Sequence, residues 1–170
     1  MKTNKILMVI APSNYRDEEL EIPKEIFEKA GFDVRIASKG VVKADGILGG
    51  TTDVDLDIED VIAYNYDAVV FIGGSGASEY FNNNDALRIA EDASNSGIVL
   101  GAICIAPSIL ANAGLLNGKK ATAFPSEKDN LAKKGAHYTG DLVTVDGKIV
   151  TAKGPEAAEE FGEKIIRLLR

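Results

Sequence analysis

Four stretches of the chain are close to continuously apolar or β-branched: KILMVIA (5–11), DVRIAS (33–38), AVVFIG (68–73) and IVLGAI (98–103). Each is bounded by Gly, Asn or Asp, the pattern of strands covered on both faces and therefore paired in parallel. Between them the period becomes helical. EIPKEIFEKAG (21–31) repeats Ile22, Ile26, Phe27 and Ala30 before Gly31, and DALRIAEDASNSG (85–97) runs into Gly97, which predicts two crossover helices. VTVDGKIVTA (143–152) sets an Asp-Gly turn between alternating runs, a hairpin signature. The closing PEAAEEFGEKIIRLLR places Pro155 at N1 and gathers Phe161, Ile165, Leu168 and Leu169 on one face, so this helix should pack on the sheet. In DVDLDIED (53–60), Val54, Leu56 and Ile58 alternate with acids and predict a half-exposed strand. The whole reads as α/β, a flavodoxin-like doubly wound three-layer α/β/α sandwich formed by one domain over 1–170. Its ligands are expected at the carboxyl ends of a mostly parallel sheet.

Composition narrows the function. The 170 residues are 45% hydrophobic, yet no run approaches the ~18 consecutive apolar residues of a membrane span. The N-terminus lacks the long apolar region and cleavage site of a signal peptide. A soluble cytoplasmic protein without membrane association is expected. A single cysteine excludes an internal disulfide and fits a reducing compartment. A net charge of −7 argues against nucleic acid as a partner. Neither metal nor cofactor is expected. No Cys, His and carboxylate cluster has zinc spacing, and Ile58 fills the sixth place of the acidic run, where a calcium loop needs glycine. GGSGAS (73–78) lacks the third glycine of a dinucleotide fingerprint.

The lone Cys104 ends a buried strand and starts a new element. Ala102-Ile103-Cys104-Ile105-Ala106 has the small-x-nucleophile-x-small form of a nucleophile elbow, in which small neighbours let a strand turn abruptly into a helix. The following helix, over about 106–113, aims its free N–H groups at the sulfur and favours thiolate. A partly ionised thiol is therefore expected near neutrality. The second strand end, FIGG (71–74), should rise beside it, so that the amides of Gly74 and Ile105 form an oxyanion hole. The competing reading is a core cysteine with no chemistry.

These blocks in this order resemble the ThiJ/PfpI superfamily of class I glutamine amidotransferase-like proteins. The likeness rests on EELEIPKEIFEKAG, YDAVVFIGGSGA, GAICIAPSILANAGLLNGKKAT, GAHYTG and VTVDGKIVTAKGP. It implies a flavodoxin-like fold, a homodimer or higher homo-oligomer, and a reactive cysteine at Cys104. It also implies a glutamate hydrogen-bonded to that sulfur at Glu19, four residues before Pro23. Read alone, Glu19 is one acid of DEELE, most simply a solvated charge at a helix start; at the sheet edge its pKa should rise, making it an acid-base partner. GAHYTG matches a segment that carries a histidine toward the cysteine in some members, so His137 is a candidate. Glu79 is a candidate to reach a neighbouring subunit's site. Protease-like members have histidine directly after the cysteine, where this chain has Ile105.

Three functions stay open on these residues. One is thiolate chemistry on a reactive carbonyl, a glutathione-independent glyoxalase or deglycase acting on a small aldehyde or a glycated protein. Another is a cysteine peptidase or amidase. The third is a non-catalytic redox sensor or chaperone that uses oxidation of Cys104.

Overall fold

The computed structural model describes residues 2–170. In chain order the strands are β1 (Lys5–Val9), β2 (Ser13–Tyr15), β3 (Asp33–Ser38), β4 (Lys43–Gly46), β5 (Thr51–Asp53), β6 (Leu56–Asp57), β7 (Ala68–Phe71), β8 (Val99–Ile103), β9 (Lys120–Ala121), β10 (His137–Tyr138), β11 (Val143–Asp146) and β12 (Ile149–Ala152). The α-helices are α1 (Asp17–Lys29), α2 (Asn84–Asn95), α3 (Pro107–Asn112), α4 (Lys128–Lys133) and α5 (Ala158–Leu169).

Seven strands form the central sheet in the order β11-β12-β8-β7-β1-β3-β6. All neighbours are parallel except the β11–β12 hairpin. Because side chains alternate across a strand, β1 sends Ile6 and Met8 to one face and Leu7 and Val9 to the other. The first pair packs with Phe27 of α1 and Phe161 and Ile165 of α5. The second packs with Ile89 of α2, Ile109 of α3 and Leu131 of α4. This is the doubly wound, flavodoxin-like sandwich that the apolar runs predict. From β1 the chain winds outward to β3 and β6, then returns to β7 on the opposite flank. The switch point lies between β1 and β7, where ligands bind in such sheets. The start of α1, the loop after β7 and the end of β8 converge there.

Two local expectations are revised and one strand pair is added. The acidic run 53–60 is no continuous strand: β6 has two residues, and Ile58–Asp60 is a 3₁₀ turn. Two of its acids bind backbone instead: the Asp57 carboxylate caps the turn, accepting from Gly40 N–H at 2.7 Å and Glu59 N–H at 3.0 Å, and Asp55 accepts from Ile36 N–H at 2.8 Å. Pro155 opens a 3₁₀ turn (Pro155–Ala157) rather than α5 itself. An unpredicted antiparallel pair, β4–β5, turns at a loop clamped by Asp17, whose carboxylate accepts from Leu48 N–H at 2.9 Å and Gly50 N–H at 2.8 Å. Among the described residues no helix is long and apolar enough to cross a membrane.

Phe161 is fully buried, and its ring lies over Gly101 of β8, where an added Cβ would stand 3.1 Å from Cζ. Phe161→Ala leaves a void the backbone cannot close, so it should cost about 3–5 kcal/mol. Urea unfolding checks this as a lowered midpoint with an unchanged slope; a loss below about 1 kcal/mol would contradict the packing described.

Candidate active site

At the end of β8 the chain turns through Cys104, which has φ 66°. A left-handed backbone is uncommon for a residue with a Cβ and costs on the order of 1–3 kcal/mol. Two long-range bonds hold it: Cys104 N–H donates to Ala152 O at 2.9 Å, and Phe124 N–H donates to Cys104 O at 2.7 Å. The flanking Ala102 and Ala106 are fully buried, which explains why the turn needs small side chains. Cys104 itself is 9% exposed.

Glu19 enters from the first turn of α1 and is fully buried. Its Oε1 accepts from Gly73 N–H at 3.0 Å. Oε2 is buried with no hydrogen-bond partner among the described residues, and the Cys104 thiol is the side chain that most opposes the rise of the carboxyl's pKa. The missing side chain of Gly73 makes this possible: a Cβ there would lie 2.5 Å from both Cys104 Cβ and Glu19 Oε1. Gly74, at φ 99°, is pressed against the backbone of residues 14–16. Its amide and that of Ile105 pull the Cys104 thiol down. Gly73 belongs to the FIGG strand end expected beside the cysteine, but its bond to Glu19 has no short-range signal in the sequence.

Electrostatics revise the expected thiolate. Burial, with smaller opposing pulls from Cys104, Gly73 and Arg16, pushes Glu19 up to about 8. Burial and then the Glu19 carboxylate push Cys104 up to about 12 against the two amides. At neutral pH the resting pair therefore holds both protons, and the helix start does not overcome desolvation because α3 is only six residues long. The protons are coupled. When Glu19 is protonated, its repulsion of a thiolate vanishes and its O–H can donate to sulfur, so the thiol falls.

His137 does not join them. Its side chain is exposed on β10, which runs parallel to β9 with His137 opposite Lys120. Strand alternation turns the next residue, Tyr138, inward, where its O–H donates to Ala123 O at 3.0 Å. The segment after β9 delivers Phe124 beside the elbow instead. Glu79 is exposed on the turn Ser75–Tyr80 and pairs with Lys39 at 3.6 Å. Among the described residues no group of three or more His, Cys, Asp or Glu could hold a metal ion. A groove of about 540 Å³ between α1 and α5, lined by Ile26, Ala30 and Ile166, lies away from Cys104. It contains no part of the buried pair.

The chain has relatives. The DJ-1/PfpI family model matches residues 4–168. An uncharacterized protein of Methanocaldococcus jannaschii is 41% identical over 172 residues, which cover 99% of this chain and 84% of its own length. A deglycase of Pyrococcus horikoshii is 31% identical, with 98% and 99% covered. The crystal structure of a ThiJ/PfpI domain protein from Brachyspira murdochii matches with a TM-score of 0.97 at 32% identity, covering 99% of this chain and 98% of that one. Drosophila melanogaster DJ-1beta matches at 0.89 and 28% identity, with 99% and 91% covered. A family model that spans nearly every residue, on a fold with a buried Glu-Cys pair at its switch point, shows that this chain belongs to the DJ-1/PfpI family.

Proposed function

We propose that this protein is a cysteine-dependent enzyme that converts 2-oxoaldehydes such as methylglyoxal, or their early adducts on proteins, into 2-hydroxy acids without glutathione. The observation that carries the reading is the buried Glu19 carboxyl, held by Gly73 with one oxygen left for chemistry beside Cys104. Relatives named deglycases in Pyrococcus abyssi and Pyrococcus horikoshii support it.

The thiolate of the singly deprotonated pair adds to the aldehyde carbon. The new alkoxide is stabilised by the Gly74 and Ile105 amides and takes the Glu19 proton, giving a hemithioacetal and a Glu19 carboxylate. That carboxylate removes the proton from C1 and returns it to C2, while the O1 proton passes to O2. The product is a Cys104 thioester of the 2-hydroxy acid. Water then cleaves the C–S bond, releasing the acid and restoring the thiol. C1 is oxidised and C2 reduced, so no external oxidant or reductant enters.

Peptide hydrolysis fits less well. It needs an acid that protonates a departing amine, yet Ile105 follows the cysteine and His137 is exposed. A sulfur only 9% exposed also suits small carbonyls better than an extended peptide. Lactate should accumulate from methylglyoxal without glutathione, and both Cys104→Ser and Glu19→Gln should abolish it. Peptide cleavage by the parent protein without aldehyde turnover would reverse the ranking.

Because the pair must lose one proton, kcat/KM should rise about tenfold per pH unit below neutrality and level off near the Glu19 value of about 8. A flat profile across that range would remove the acid-base role. Stability should move the opposite way. Between 4.5 and about 8 the folded chain keeps a Glu19 proton that the unfolded chain has lost, so rising pH favours unfolding by about 1.4 kcal/mol per pH unit. Glu19→Gln has no such proton and should gain on the parent by several kcal/mol between about pH 5 and about pH 8 in urea titrations. An equal pH response of the two proteins would show that Glu19 is solvated. Gly73→Ala should lower kcat about 100-fold with circular dichroism unchanged, because its methyl parts carboxyl from sulfur; parental kcat would contradict the geometry.

A further inference from the structure

Arg16 precedes the acidic run at the N-cap of α1, and neither the elbow nor the proposed proton transfers use it. Its position is nonetheless tied to the site. Arg16 N–H donates to Gly73 O at 3.0 Å, and a Cβ on Gly74 would collide with the Arg16 backbone nitrogen. Arg16 is thus seated on the two glycines that line Cys104. Its guanidinium grips Glu18 through Nε at 2.6 Å and Nη2 at 3.2 Å, with the two side chains 34% and 32% exposed. The Glu18 hydrogen bonds raise Arg16 above its ordinary pKa, and the charges of Glu19 and Cys104 add to that; reciprocally, Arg16 is the cation that pulls Glu19 down.

A pair this exposed is held weakly. The arginine fork fits any carboxylate bidentately, so another carboxylate can take the place of Glu18. The chemistry proposed above also ends in a carboxylate, on the carbon that was bonded to Cys104.

We infer that Arg16 is a specificity-determining residue that exchanges Glu18 for a carboxylate of the molecule entering the Cys104 site. On the aldehyde reading, on which its catalytic meaning rests, the favoured substrates are 2-oxoaldehydes that carry a carboxylate. Glu18 fills the subsite in the resting protein and returns when the product leaves. In this role Arg16 sets affinity rather than the proton transfers, so its loss should appear in KM more than in kcat.

Two alkylating agents that differ in charge test the subsite without assuming the reaction. Iodoacetate carries a carboxylate beside its reactive carbon; iodoacetamide is neutral. The iodoacetate to iodoacetamide ratio of rate constants for Cys104 should fall about tenfold in Arg16→Gln, the usual scale of a charge-assisted hydrogen bond. It should recover in part in Arg16→Lys. Lys24→Gln, which removes a positive charge from the same helix outside the site, should leave the ratio unchanged. With 4,5-dioxopentanoate and methylglyoxal as anionic and neutral 2-oxoaldehydes, kcat/KM for the first should drop about tenfold in Arg16→Gln and for the second little. An unchanged alkylation ratio in Arg16→Gln, or an equal fall in Lys24→Gln, overturns the subsite even if methylglyoxal is consumed. A selective fall in the ratio without turnover of either aldehyde overturns the enzymatic reading and upholds the subsite.

Discussion

The burial of the Glu19 carboxyl against Cys104, with only the Gly73 peptide to meet it, is the interaction on which the rest of the site depends. An ionised carboxylate there would lose its hydration for a single amide bond, a cost of several kcal/mol. The group therefore favours its protonated form at neutral pH. The same residue works in both directions: Gly73 N–H donates to Glu19, and Gly73 O accepts from Arg16 N–H. One residue without a side chain thus sews the start of α1 to the end of β7 and leaves room for the carboxyl beside the thiol.

The sheet explains why this can be assembled. Winding outward from β1 and back to β7 leaves a crevice between two adjacent strands, and the chain must leave both through it. Cys104 arrives from β8 in a left-handed conformation that local sequence does not favour. It persists because β12 and the segment after β9 bond its backbone on both sides. Packing of Phe161 and Ile165 on Gly101 holds β8 against α5 and so fixes where that turn occurs.

Three consecutive acids show how finely the result depends on direction. Asp17, 6% exposed, caps the loop between β4 and β5; Glu18 pairs with Arg16; Glu19 is sealed against sulfur. Successive residues on a helix point about 100° apart, so neighbours in sequence look toward different parts of the molecule. In the chain they form one charge run. Their separate fates follow from what α1 is packed against on each side.

Short-range constraints were legible in the sequence. Unbroken apolar runs required a parallel sheet covered on both faces, helical periods supplied its crossovers, and small residues around Cys104 marked an abrupt turn, because each of these depends on neighbours within a few residues. The protonation of the pair was not legible, since it arises from desolvation by segments near 19, 73 and 104 that meet only in the folded chain. Nor was the failure of His137 to reach the sulfur: GAHYTG shows that a histidine is present, but the pairing of β10 with β9 decides which side of the strand it occupies. The role of Gly73 was equally hidden, because the reason for its missing Cβ is the space between two side chains that the chain brings together from opposite flanks of the switch point.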